Sequence, residues 1–449
     1  CRKKGERFCT TCNLVKYCSK ECQDAHWDSH QKDCKSEITL VTWLPECMKD
    51  DEVEKRQQKA EAQANSKRKI TGAIEYHLGS TGLPKRGDKP CYHKYLIGNT
   101  PAYDIVNLSE VEGLDWKHDL DILFAASGDL RNVMKTVVSL PDSYRNRCNV
   151  HVNDRDEYVV FRAIMILLLV LLYPDGNASE LVLHLWYSGR LPQSMYKRGI
   201  TDWLIPKLSE AFAKSLNEKA PPDKVFAHSF TNGTSTVTVR LTSRMWLNML
   251  VVLERPKETE LGEEVRLECM LTAEPEKPWV QYNMHMKDPA YRLGELRYRT
   301  TGLLLPFGAR DEHFDTMNPT FFDLHWNYLV AIEPLPGASL NDLKRCRTTL
   351  GLPECDVYGA FFYHQRDLIE KFDNSLSDRP VNIVLYNQDA IELAGQTKTQ
   401  MSDRGSEGQF DRIDLSNALD SAYIGTKQAL KTFIPLLKAK KVNPSATLL

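Results

Sequence analysis

The sequence predicts a two-part chain: a small metal-stabilised module, then a large α/β domain whose doubly wound sheet is interrupted by a long α+β insertion. Three observations carry this. Six of the 12 cysteines fall in the first 34 of 449 residues, where His30 joins them. From Asp119 an apolar run, a glycine turn, a helical stretch and a second apolar run ending in acid succeed one another, the order of half a doubly wound nucleotide-binding sheet. Two further strand-like runs, 382–390 and 410–416, lie near the C-terminus. At roughly 150 residues per domain the length accommodates two or three domains, and a 42% hydrophobic content can fill a sizeable core.

The N-terminal spacing is Cys1-x7-Cys9-x2-Cys12-x5-Cys18-x3-Cys22-x7-His30-x3-Cys34. Zinc takes four soft or borderline ligands in a tetrahedron, and short spacers let one turn present two of them. So short a segment has almost no apolar core, so metal binding would supply its folding free energy. Seven candidates fill one site of four and leave three for a second. Cys-Thr-Thr-Cys at 9–12, Tyr17-Cys18-Ser19, Cys22-Gln23, Trp27 and His30-Gln-Lys-Asp-Cys34 resemble a MYND-type zinc finger. That resemblance implies two cross-braced zinc ions, one held by Cys9, Cys12, His30 and Cys34 and the other by Cys1, Cys18 and Cys22. The fourth ligand of the second site is expected three residues before Cys1, so the sequence reads as an N-terminally truncated fragment. Cys22-x3-His26 is a plausible pair by spacing, but the family pattern makes His30 the ligand. The resemblance also implies a protein partner, often a proline-rich peptide, with Tyr17 and Trp27 either contacting it or packing inside the finger. Removing the metal is expected to unfold residues 1–34 alone.

Residues 35–94 read as a linker. Within 49–70, 12 of 22 residues are charged and none is aromatic, which favours a solvated helical connector over a packed element. Ser66-Lys-Arg-Lys69 is a short basic cluster of the kind that serves as a nuclear-import signal. A formal net charge of -2 removes the basic footprint of a nucleic-acid binder. The longest apolar run, 163–173, is too short for a bilayer that needs about 20 residues. It reads as a buried core element. Clustered thiols without a leader-like apolar start fit a cytoplasmic or nuclear protein with reduced cysteines.

In the large domain, Ile122 to Ala126 reads as a strand, Ser127-Gly128-Asp129 as the turn, 130–140 as a helix, 149–154 as a strand ending in Asp154, and 158–173 as a helix. Asn382 to Ala390 ends in Asp389-Ala390, and Phe410-Asp-Arg-Ile-Asp-Leu-Ser416 precedes another helix. In order these four pieces resemble the class I S-adenosylmethionine-dependent methyltransferase framework, a Rossmann-like fold. The resemblance implies Gly128, Asp129, Asp154, Asp389 and Ala390 as cofactor-side residues. The plainer reading is that Asp154 and Asp389 cap the helices after them. Tyr103-Asp-Ile-Val-Asn-Leu, Phe124-Ala-Ala-Ser-Gly-Asp-Leu-Arg-Asn-Val, Val152-Asn-Asp-Arg-Asp and His184-Leu-Trp-Tyr-Ser resemble the uncharacterised domain that follows MYND fingers in fungal proteins and opens axonemal dynein assembly factors. The expected layout is a finger at 1–34, a linker at 35–94, the first half of the Rossmann-like domain at 95–195, an inserted α+β region at 196–375, and the second half at 376–449. Inside the insertion, 236–241 alternates as a half-buried strand, 199–219 reads as an amphipathic helix, and 297–310 combines arginines and aromatics that could line a cleft or form a structural loop.

Two functions follow. The first is a zinc-binding adaptor that uses its finger to bind partner peptides. The second is a methyltransferase recruited to its substrate by the finger, with S-adenosylmethionine as cofactor. The asparagine-histidine and paired-cysteine segments of SET methyltransferases, which often accompany such fingers, do not occur in this sequence.

Overall fold

The computed structural model describes residues 5–45, 48–49, 96–174, 178–215, 221–254, 278–321, 334–403 and 409–449. The chain divides into two compact units, one drawn from 1–93, 258–311 and 341–362, the other from 94–257, 312–340 and 363–449.

In the first unit β1 (Arg7–Phe8) and β2 (Lys16–Tyr17) form an antiparallel hairpin. The helix Lys20–Cys34 follows, started by Ser19, whose Oγ accepts from the Cys22 N–H at 3.3 Å. Only His30 and Cys34 are buried on this helix, so no apolar stripe holds it in place. What holds it is a core shared with distant sequence: Leu14, Val15, Tyr17 and Ile38 pack with Met284, Leu293 and Phe307. Met284 lies on the helix Pro278–His285 and Leu293 on the helix Pro289–Thr301. Arg292 ties the chain leaving the finger to these helices. Its guanidinium donates to the carbonyls of Leu40 (3.1 Å), Lys287 (2.8 Å) and His285 (2.9 Å) and lies over the Trp43 ring.

Among the described residues, the second unit is built on a sheet of seven strands. Its parallel core comprises β3 (Leu120–Phe124), β4 (Cys148–Asn153), β9 (Val381–Tyr386), β10 (Arg412–Asp414) and β11 (Thr447–Leu448); β6 (Val225–Asn232) and β7 (Ser235–Thr242) complete it. A small antiparallel pair, β5 (Arg190–Leu191) and β8 (Thr316–Met317), lies apart. The spatial order is β11-β10-β3-β4-β9-β7-β6. Read from β9 to β11, this is the reversal of a doubly wound sheet, with the switch point between β3 and β10. The apolar run at 163–173 lies largely in the helix Glu157–Leu172, on which fourteen consecutive residues from Tyr158 to Leu171 are buried. Asp156 caps it, accepting from Tyr158 N at 2.9 Å. Among the described residues no helix is long and apolar enough to cross a membrane.

Within the segment 196–375, the described residues 278–311 and 341–362 group with the finger, while β7 pairs in parallel with β9 and carries β6 into the main sheet. An edge strand of a parallel sheet offers unpaired backbone groups, and the hairpin satisfies one side of them. The helix expected over 199–219 appears as a π-helical stretch, Tyr196–Leu204, passing into an α-helix, Ile205–Ser215. Pro206 sits at that junction, where its missing N–H costs least. The linker's charged stretch and the basic cluster at 66–69 lie outside the described residues.

Candidate metal centre

Four of the predicted ligands converge. The ligand atoms of Cys9, Cys12, His30 and Cys34 all lie within 4.8 Å of one another, and each residue is at most 7% exposed. Cys9 and Cys12 come from the turn between β1 and β2, where the Asn13 N–H donates to the Cys9 carbonyl at 2.9 Å and the Leu14 N–H points at Cys12 Sγ, 3.4 Å away. Asn13 takes the left-handed backbone (φ 54°) that the turn requires. His30 and Cys34 stand one helical turn apart on Lys20–Cys34.

The spacing between these atoms tests the fit. A tetrahedral zinc with bonds of about 2.3 Å to sulfur and 2.0–2.1 Å to nitrogen has S···S edges of about 3.8 Å and S···N edges of about 3.5 Å. Cys9 Sγ to Cys34 Sγ is 3.7 Å and Cys12 Sγ to His30 Nε2 is 3.5 Å. These contacts are better read as edges of a coordination tetrahedron than as thiol hydrogen bonds. The electrostatics agree. Burial pushes the Cys12 thiol up to about 12 and raises Cys34 as well. At Cys9 burial also opposes ionisation, but the backbone N–H groups of Cys12 and Thr11 outweigh it and bring this thiol below its ordinary value. Burial holds His30 below its usual value, which favours the neutral imidazole that a metal needs. Three cysteines gathered in such a pocket can ionise together only with a cation among them.

The second predicted set is only partly on view. Cys18 Sγ and Cys22 Sγ lie 3.1 Å apart, at the end of β2 and in the first turn of the helix; Cys1 lies outside the described residues. His26 is engaged elsewhere: its Nδ1 meets the Tyr17 hydroxyl at 2.9 Å, and its ring stacks on His30 at 5.5 Å. Tyr17 is buried and Trp27 half-buried, both packed against the finger's core. Arg297 ion-pairs with Asp311 at 3.5 Å and lines a shallow cleft with Tyr298, Leu303, Phe307 and Tyr358.

The residues predicted to face a nucleotide cofactor have partners within the chain. Gly128, at φ 57°, donates its N–H to Asp154 Oδ2 at 3.0 Å. Asp154 Oδ1 accepts from Asp156 N at 2.9 Å, and burial pushes the carboxyl up to about 6. Asp129 pairs with Arg131 at 2.6 Å and accepts from the Gly98 N–H at 2.7 Å. Asp389 caps the helix Ala390–Asp403, accepting from Ile391 N at 2.8 Å, and Ala390 is buried in the core beside it. At the switch point, residues 98–105 lie across the end of the sheet. Tyr103 donates through its hydroxyl to Asp414 Oδ1 at 3.1 Å and through its N–H to Asn132 Oδ1 at 3.2 Å, and the Ile105 N–H reaches Thr136 Oγ1 at 3.1 Å.

Sequence reasoning missed the support of the metal site by Met284, Leu293, Phe307 and Arg292. No local spacing signals a contact made across more than two hundred residues.

Fold and site together define a zinc-finger centre combined with an α/β domain on a mostly parallel sheet. Residues 1–34 match the family model of the MYND finger, and residues 96–191 match that of a domain of unknown function (DUF4470). No curated protein and no solved structure matches the chain. MYND fingers are in general zinc-binding protein-interaction modules, which supports a protein partner.

Proposed function

We propose that the chain is an intracellular adaptor whose zinc-bound finger binds a partner peptide, proline-rich in sequence. The observation that carries this is the buried Cys9–Cys12–His30–Cys34 cluster, whose edges match a zinc tetrahedron. Ligation through thiolates requires a reducing compartment, the cytoplasm or the nucleus. Cys18 and Cys22, with Cys1, form the second zinc set in this reading. Metal analysis of purified protein with a fluorescent polyproline peptide as probe tests it. Zinc should be present, Cys18→Ser should lower its stoichiometry, and chelation should abolish peptide binding. A metal-free protein, or peptide binding indifferent to chelation, overturns the reading.

Methyl transfer is the less favoured alternative. Asp129, Asp154 and Asp389 are each committed to backbone N–H groups, which supports the adaptor. Calorimetric titration with S-adenosylmethionine separates the two: saturable heat at high micromolar ligand would restore the enzyme.

A further inference from the structure

We infer that β6 is a self-pairing edge through which two copies of the chain join their sheets across a two-fold axis. Among the described residues the strand is the last in the sheet order, bonded to β7 on one side. Its eight residues, Val-Phe-Ala-His-Ser-Phe-Thr-Asn, contain neither proline nor Lys, Arg, Asp or Glu. Edge strands of this length are ordinarily protected by a charge, a proline, a bulge or a cover. Here Val225, Ala227, Ser229 and Thr231 are all exposed.

The hairpin geometry says which backbone groups are available. Gly233 and Thr234 form a two-residue turn, with Gly233 at φ 57°, and Asn232 pairs with Ser235 beside it. In such a hairpin the flanking pair exchanges both hydrogen bonds and the alternation runs from there. Asn232, Phe230, His228 and Phe226 therefore bond to β7. The N–H and C=O groups of Val225, Ala227, Ser229 and Thr231 point outward, and among the described residues no hydrogen bond reaches them.

A second copy of β6 fits this edge better than an arbitrary strand. In an antiparallel pair related by a two-fold axis normal to the sheet, opposed residues share a face, so their numbers have the same parity. The register centred on His228 opposes Val225 to Thr231 of the second copy and Ala227 to Ser229. Every outward-facing residue of both strands is then used. On the helix-covered face the same register sets Phe226 against Phe230 of the second copy, a cross-strand aromatic pair. On the other face it sets Val225 against Thr231 and Ala227 against Ser229, small and β-branched side chains that lie beside the Ser229–Thr238 and Thr231–Thr236 hydroxyl pairs (2.9 and 3.4 Å) without like charges or bulk between the copies. The strand thus carries the complement of its own edge.

Analytical ultracentrifugation of the full chain at tens of micromolar concentration tests this. The expected species has twice the 51.4 kDa chain mass. Ser229→Pro removes an outward N–H that β7 does not use, so the fold survives and the mass should halve. Ala227→Lys, which adds a charge opposite Ser229 of the second copy, should do the same. His228→Cys places two thiols in a non-hydrogen-bonded pair at the axis, close enough to cross-link, and mass spectrometry should find the 228–228 disulfide. A monomeric wild-type chain overturns the inference, whether or not the edge takes a foreign peptide. So does a dimer that persists in both edge variants, or oxidation of the 228 variant without the symmetric cross-link.

Discussion

Leu293 offers a test of whether the metal centre and the helices at 278–301 fold as one. It is 2% exposed and sits in the cluster that includes Cys9, Cys12, Leu14 and Phe307, yet it ligates nothing. Leu293→Ala removes its packing from the metal-bound state, at a cost of about 2–5 kcal/mol. If the finger comes away from these helices when metal leaves, the free state has already lost that packing. The whole loss then falls on the bound state. Each 1.4 kcal/mol is a factor of ten, so zinc affinity should fall by about 30- to 4,000-fold. Competition with a chromophoric chelator measures this directly. Zinc affinity within twofold of wild type, alongside a clear drop in thermal stability, would refute the coupling: the finger would then stay docked without metal. The sequence-based expectation that chelation unfolds 1–34 alone becomes an expectation that 278–301 loosens too, visible as increased amide exchange there.

Further outcomes follow from the same geometry. Arg292→Met leaves four backbone carbonyls, those of Ile38, Leu40, His285 and Lys287, without the guanidinium donor and should cost about 2–4 kcal/mol, read by chemical denaturation of the zinc-loaded protein. Zinc affinity should climb with pH. Burial raises the Cys12 and Cys34 thiols, so at neutral pH the metal-free site holds their protons, and zinc must displace them; lowering the pH favours the metal-free form. The logarithm of the affinity should rise by about two to three per pH unit between 6 and 8, and a flat profile would contradict the ligand assignment. Asp389→Ala should cost about 1 kcal/mol as a lost helix cap, seen as a lower melting temperature with zinc binding unchanged.

The metal site was legible because its ligands obey local rules: a two-residue spacer in a turn and a three-residue spacer on a helix act over a few residues, and chemistry restricts them to cysteine and histidine. The strands β3, β4, β9 and β10 were legible for a similar reason, as short apolar runs punctuated by Gly128, Asp154 and Asp389. What the finger rests on was not. Leu293 and Phe307 have the same apolar character whether they face the finger or an inserted subdomain, and nothing local distinguishes the two. β6 failed for another reason. Its polar outer face and Ser-Thr composition carry no apolar period strong enough to separate an edge strand from a loop.

The switch point shows how residues typical of a nucleotide site can serve the chain itself. A glycine turn at the end of the first parallel strand exposes backbone N–H groups at a helix start, and acids nearby accept hydrogen bonds; a dinucleotide uses both. In this chain Asp129 is neutralised by Arg131 and by the Gly98 N–H, the Gly128 N–H is taken by Asp154, and Tyr103 closes on Asp414. A ligand entering there would have to break interactions of a charged, buried pair, each worth more than an ordinary hydrogen bond. The sheet's most reactive-looking corner is therefore spent on holding residues 98–105. That makes Tyr103→Phe informative. Losing one hydroxyl bond should leave the fold intact and cost about 1 kcal/mol, and if it also brings S-adenosylmethionine binding that the wild type lacks, the segment is a cover over a competent site; if binding stays absent, the acids are structural.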